Sequence, residues 1–303
     1  MSYYNLGLFL YLGGGIKMEQ ECFHVKKVLN NNVIFSKNQE GQDIILTGLG
    51  LGFQKRKGDP VEAEKIERIF ILKEEATGNR LSELLKQIPI DYFYLADQIK
   101  QHAEQKLSKE LNQNIYVTLC DHMYYAVERF KQGLLFQNQL MWEIKRFYPK
   151  EYQIALEAIK LMNSTLNVKL PEDEASFVAL HIINAELNGH EIQSVIDMTR
   201  LIKGICSIVQ YEFKIDFDEN SLNYTRFILH LKFFSQRLMM NEPPAEEASF
   251  LYPQVQENMP EAFQCSRKIA LYIQKSYNYT ITKSEQVYLT IHIERLLSES
   301  RKL

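Results

Sequence analysis

Glu174-Ala-Ser-Phe177-Val-Ala-Leu-His181-Ile182 returns near the end of the chain as Glu285-Gln-Val-Tyr288-Leu-Thr-Ile-His292-Ile293. In both, Glu stands seven residues before His, an aromatic stands four before, and aliphatic residues occupy minus three, minus one and plus one. Each copy follows an Asn-led segment at one offset from its Glu, Asn167-Val168-Lys169-Leu170 and Asn278-Tyr279-Thr280-Ile281. Apolar residues three and four apart place both segments on helices. Pro171, with Glu172, Asp173 and Glu174 behind it, suits a first helical turn whose acidic side chains complement the helix dipole. Thr282-Lys-Ser-Glu285 is a capping box and marks the second start independently.

The duplication reaches upstream. His230 follows His122 by 108 positions, with Tyr116 and Tyr224 at minus six, Tyr125 and Phe233 at plus three, and Arg129 and Arg237 at plus seven. His292 follows His181 by 111. A period this long exceeds any solenoid unit and describes two copies of a whole helical domain. After Ala76 the spacing is helical throughout the first copy. It predicts helices over Leu81 to Ile88 (stopped by Pro89), Leu95 to Leu107, Tyr116 to Phe130, Leu134 to Tyr148 and Ile154 to Leu166. The helix that starts at Pro171 ends at Asn188-Gly189, and Asn241 to Glu247, with Pro243-Pro244, interrupts the second copy.

Ahead of Ala76 the apolar period is two. Phe23 to Leu29, Val33 to Ser36, Gln42 to Thr47 and Arg68 to Leu72 read as strands. Asn30-Asn31-Asn32 and Lys37 to Gly41 read as turns. Between the last two strands lie the short run Leu51 to Gln54, the basic turn Lys55-Arg56-Lys57-Gly58-Asp59, and a helical turn within Pro60 to Glu67. So small a sheet buries little surface alone, and pairing with a second copy is expected. The fold class is α+β and multidomain: a small antiparallel sheet followed by two homologous all-α bundles. The divisions fall at 1–17, 18–75, 76–190 and 191–303. The first of these, apolar from Asn5 to Leu12 and broken by Gly13-Gly14-Gly15, is too short for a membrane span and lacks the charged start of a signal peptide. It reads as a disordered extension, or as sequence ahead of a working start at Met18.

A chain of 303 residues with 46% apolar content and 12% aromatics has ample material for packed cores. Its formal charge of −3 gives no global pull toward nucleic acid or membrane. Cys22, Cys120, Cys206 and Cys265 are scattered without a C-x-x-C pair, which fits reduced thiols in a cytosolic protein better than disulfides or zinc.

Any one histidine here could be a hydrogen-bonded core residue, but four of the seven, His122, His181, His230 and His292, fall in matched pairs. Metal ligation wants close spacing or nearby carboxylate ligands, whereas the partners lie 59 and 62 residues apart and Asp121 has no counterpart beside His230. A catalytic triad wants a nucleophile, and no G-x-S-x-G or reactive-cysteine context is present. The third chemistry is phosphorylation, in which a neutral imidazole nitrogen attacks a phosphoryl donor. Arg129 and Arg237 could then receive the charge, or serve as solvated surface charges.

At this point the residues carry a resemblance. Lys26-Lys27-Val28-Leu29-Asn30-Asn31-Asn32-Val33 with Gly48-x-Gly50-Leu-Gly-Phe53-Gln54-Lys55 resembles the CAT RNA-binding domain of BglG/SacY-type transcriptional antiterminators. The histidine-bearing bundles resemble the paired phosphotransferase-system regulation domains (PRDs) that follow it. Asp121-His122, Ala179-Leu-His181-Ile, His230-Leu-Lys-Phe-Phe and Ile291-His292-Ile-Glu-Arg295 are similar to the β-glucoside subgroup. The likeness covers residues 24 to about 298. It implies a regulator rather than an enzyme, with no cofactor and no metal. Such a regulator acts as a homodimer that holds a leader mRNA hairpin against an overlapping terminator. Lys27, Asn30, Asn32, Gly48, Gly50 and Phe53 are the implied RNA surface, since Asn offers donor and acceptor to base edges and Phe can stack. Asn30 to Asn32 could equally be an ordinary turn and Phe53 a core aromatic. Leu49 stands where many relatives carry Arg, and the sheet domain is not strongly basic, so shape and stacking outweigh charge. The implied phosphorylation sites are His122 and His181, served by a sugar-specific permease that inactivates, and His230 and His292, served by the carrier HPr that activates. A PRD-containing DNA-binding activator, a helical metal-dependent hydrolase and a plain scaffold are the alternatives.

Overall fold

The computed structural model describes residues 22–72, 80–81, 83–134, 136–187, 192–240 and 249–301. The extension over 1–17, the change of period at Ala76, the helix stop at Asn188-Gly189 and the interruption from Asn241 to Glu247 lie outside the described residues. One compact unit ends at Ile192 and a second runs from Gln193.

The first unit opens with a four-stranded antiparallel sheet of β1 (Lys27–Asn30), β2 (Val33–Lys37), β3 (Asp43–Thr47) and β4 (Arg68–Leu72), paired in chain order. The run predicted as one strand from Phe23 to Leu29 divides in two. Val25 N–H donates to Asp59 O and Val61 N–H to Phe23 O, so its first half pairs with the segment before Val61. Lys26 N–H donates to Phe35 O, and from there the chain pairs with β2. Leu51 to Gln54 is a turn rather than extended chain, and Ala63–Lys65 supplies one 3-10 turn within Pro60 to Glu67.

Register fixes the two faces of this sheet. Ile34, Ile44 and Leu46 pack with Phe23, Val25, Leu51 and Val61 into a core of their own. Phe35, Ile45 and Phe70 align across the other face and are also buried. What covers Phe70 is the next helix: its ring meets Phe93 edge-on at 4.5 Å, and Arg68 lies over the Tyr94 ring at 4.6 Å. An edge-to-face pair adds about 1 kcal/mol beyond its buried area. The sheet therefore gains cover within its own chain, where sequence reasoning looked only to a second copy.

The helices of this unit are α1 (Ile90–Leu107), α2 (Ile115–Lys131), α3 (Met141–Phe147), α4 (Pro149–Leu166) and α5 (Asp173–Glu186). The predicted helix from Leu134 to Tyr148 shrinks to α3. Gly133, at φ +73°, ends the preceding helix, and Asn138 Oδ1 accepts the Leu140 N–H at 2.9 Å to start the next. Leu134 and Phe136 are left outside any helix and exposed. One polar group inside the bundle escaped sequence reading. Asp97 on α1 is buried and accepts from Tyr116 Oη (3.1 Å) and Gln101 Nε2 (2.9 Å).

The second unit begins one residue into α6 (Ile192–Phe213) and goes on through α7 (Leu222–Met240), α8 (Tyr252–Asn258), α9 (Pro260–Tyr277) and α10 (Lys283–Ser300). Asn167 ends α4 and Asn278 ends α9, both in the left-handed conformation at φ near +50°. The Asn-led segments of the repeat are thus helix stops that turn the chain toward the histidine-bearing helices.

Candidate functional site

Each unit closes its two predicted histidines onto each other. His122 on α2 and His181 on α5 lie with ring centroids 5.0 Å apart, and His230 on α7 and His292 on α10 lie 4.9 Å apart and stacked. The aromatic of the repeated frame flanks each pair, Phe177 at 5.7 Å from His122 and Tyr288 at 5.6 Å from His230. Burial sets the protonation of three rings. His181 is pushed well below the ordinary histidine range by burial, then by the His122 charge. His230 is pushed down to about 4 by burial, His292 and Arg237, and His292 is lowered by burial, Arg295 and Arg226. Those imidazoles stay neutral near pH 7, the form that carries a nucleophilic lone pair.

The predicted arginines reach these sites through a residue whose role sequence reasoning missed. Glu174, buried on α5, lies with Oε1 3.6 Å from Arg129 Nη2. Glu285, buried on α10, holds the same 3.6 Å relation to Arg237. Both Glu had been read as helix-start residues. The signal was present: seven residues are two helical turns, so each Glu shares a face with its histidine. The second oxygen differs between copies. Glu174 Oε2 lies 3.3 Å from His122 Nε2, an ion-pair contact without hydrogen-bond alignment. Glu285 Oε2 instead accepts the Thr282 N–H at 2.9 Å, the Thr282 hydroxyl at 3.2 Å and the Tyr279 hydroxyl at 3.2 Å. The capping box read from sequence is formed. Arg129 also lies over the Phe136 ring at 5.0 Å.

In the sheet domain five of the predicted RNA residues, Asn30, Asn32, Gly48, Gly50 and Phe53, are joined by hydrogen bonds, although Gly48 itself is buried. Asn30 Oδ1 accepts the Asn32 N–H at 2.9 Å, and Asn32 Oδ1 accepts the Gly50 N–H at 2.9 Å. Gly48 N–H donates to Asn32 O, which ties the turn to the glycine loop. A Cβ on Gly48 would stand 1.8 Å from Lys65 O, and Gly50 sits at φ +66°, so the loop's own path demands both glycines. Phe53 is 59% exposed and Leu49 80%, so Phe53 is no core aromatic. Two members of the surface also touch the start of the helical region, Lys27 through Glu83 and Asn30 Nδ2 through Leu85 O at 3.3 Å.

Among the described residues no group of three or more His, Cys, Asp or Glu comes together to hold a metal, and no helix is long and apolar enough to cross a membrane. The described residues ahead of the bundles form a sheet rather than the helix-turn-helix that a DNA-binding activator needs.

A CAT RNA binding domain model matches residues 23–79, and a PRD domain model matches twice, over 97–185 and 203–296. Transcription antiterminator LicT of Bacillus subtilis (strain 168) is 43% identical over 276 residues, which cover 91% of this chain and 99% of that protein. The Beta-glucoside operon antiterminator of Dickeya chrysanthemi is 42% identical over 275 residues, covering 91% and 97%. A crystal structure of GlcT CAT-PRDI, 35% identical, aligns with 55% of this chain and 98% of its own at a TM-score of 0.47. A CAT head ahead of two PRD bundles is the build of a regulatory protein. The chain belongs to the transcription antiterminators that combine a CAT RNA binding domain with PRD domains, as its BglG/SacY-type resemblance implied.

Proposed function

We propose that this chain acts as a cytoplasmic homodimer. Its CAT domain (18–75) binds a partly paired hairpin in the leader mRNA of a β-glucoside operon and prevents terminator formation. Lys27, Asn30, Asn32, Gly48, Gly50 and Phe53 carry the RNA surface, with exposed Phe53 stacking on an unpaired base. The two PRDs (76–190 and 191–303) set the activity through phosphorylation of His122 and His181 by a sugar-specific permease, which inactivates, and of His230 and His292 by HPr, which activates. Arg129 and Arg237 receive the added charge, about two negative units by analogy with phosphoserine.

The observation that carries this reading is the closure of each histidine pair to about 5 Å beside an arginine, with His181, His230 and His292 held neutral. Two measurements test it. Gel shift with the leader RNA of the adjacent operon is expected to show binding that survives competitor RNA and is lost in Asn32→Ala, whose side chain also ties the glycine loop. Absence of any shift would remove the RNA-binding half. Incubation with phosphoenolpyruvate, enzyme I and HPr, followed by neutral-condition mass spectrometry, is expected to label His230 or His292. No label there would remove activation by HPr.

A further inference from the structure

We propose that Glu174 is a positioning residue for His122, and that Tyr279 and Thr282 withhold the matching carboxylate, Glu285, from His230. This rests on the reading that these histidines accept phosphoryl groups. The two carboxylates start alike, each with one oxygen 3.6 Å from its arginine. They part at the other oxygen. Glu285 Oε2 takes three donors, the Thr282 N–H, the Thr282 hydroxyl and the Tyr279 hydroxyl. A carboxylate oxygen offers about two lone-pair sites, so none remains for an imidazole. His122 Nε2 and His230 Nε2 are both buried without an aligned hydrogen bond, but among the described residues only His122 has a carboxylate in ion-pair range.

The first copy lacks every one of those donors for a covalent reason. At the offset that aligns Glu174 with Glu285, Val168 stands for Tyr279 and Pro171 for Thr282. Valine has no hydroxyl, and proline has neither hydroxyl nor N–H. Glu174 Oε2 therefore faces His122 Nε2 at 3.3 Å.

The consequence concerns the transfer step. The donor is the phosphorylated permease domain. An electron pair of His122 forms the new N–P bond, the bond from phosphorus to the donor's carrying atom breaks, and its pair returns to that atom. The His122 ring becomes a cation in that step. With the Nε2 proton on the side that faces Glu174, the lone pair resides on Nδ1 and the new charge lies 3.3 Å from a carboxylate, an ion-pair contact that stabilises an imidazolium. His230 makes the same step beside Arg237 without that carboxylate.

The full-length chain is incubated with phosphoenolpyruvate, enzyme I, HPr and the phosphorylated permease domain, and label at each histidine is followed in time by mass spectrometry. Glu174→Gln is expected to slow labelling of His122 about tenfold and leave His230 and His292 unchanged. Glu174→Asp should recover part of the rate. Converting the second site to the first site's donor set, Tyr279→Val with Thr282→Pro, should speed labelling of His230 several-fold, a gain that misfolding does not mimic. Wild-type labelling of His122 in Glu174→Gln, or no gain at His230 in the double variant, overturns the inference while the phosphoacceptor reading stands. A wild-type chain that takes label on no histidine overturns both.

Discussion

The two histidine bundles begin their second histidine helix differently, and the difference shows what a duplication keeps. α10 starts at Thr282 with a reciprocal cap closed by Glu285. α5 starts behind Pro171, and Glu174 makes no cap. Both arrangements bring a carboxylate to 3.6 Å from the arginine and close the rings to about 5 Å. The positions of the histidine rings and of the arginine-bound carboxylate are common to the copies, while the hydrogen bonds that hold the carboxylate are not. The two histidine pairs thus have different local chemistry inside one repeated frame.

The largest effect expected from this comparison is on local stability. Glu285→Ala removes the cap, both tyrosine bonds and the partner of Arg237, and should cost about 3–4 kcal/mol. Glu174→Ala removes a partner of Arg129 but no cap, and should cost about 1 kcal/mol less. Hydrogen exchange resolved over α10 and α5 measures the two, and the reverse order would break the comparison.

A second contrast sharpens it. α1 buries Asp97, whereas the buried residues of α6 include no carboxylate. Burial raises the Asp97 carboxyl to about 6, against the opposing hydrogen bonds from Gln101 and Tyr116. Since the folded value exceeds the unfolded one, the folded chain holds this proton more tightly. Stability rises as pH falls through the window from about 6 to the unfolded value near 4, and the penalty is fully felt above it. Asp97→Asn should therefore stabilise the first bundle by up to about 3 kcal/mol at pH 8 and by little near pH 4. Denaturant titrations at the two pH values check this, and an equal gain at both would discard the ionised-carboxylate account. The smallest effect concerns the aromatic cover on Arg129. Phe136→Ala should cost about 0.5–1 kcal/mol, read as a small loss of protection in α2.

The histidine pairs were legible because identical spacing around a rare residue survives in a single sequence. The strands were legible in the same way, from alternation and asparagine turns. The helix expected from Leu134 to Tyr148 was not, because Leu134 and Phe136 mimic a periodic face although Gly133 and Asn138 break it. The carboxylate on each arginine was hidden by its place in a first turn, where an acidic residue already has a sufficient reason to be. The cover that Phe93 gives Phe70 depends on two residues from different elements, and neither element's periodicity names the other. Asp97 sits among the apolar positions of α1, and only its depth and its Tyr116 partner explain it.

The asparagine that stops the helix before each histidine helix has one more consequence. His181 stands fourteen positions after Asn167, and His292 fourteen after Asn278. A helix turns about 100° per residue, so the start of each histidine helix works as the zero mark of a dial on which the histidine ring is set. One residue gained or lost between helix start and ring, with that start held, would swing the imidazole about a quarter of a circle away from its partner. Val168 and Tyr279 show that residues from asparagine to histidine differ between the copies while their number is the same.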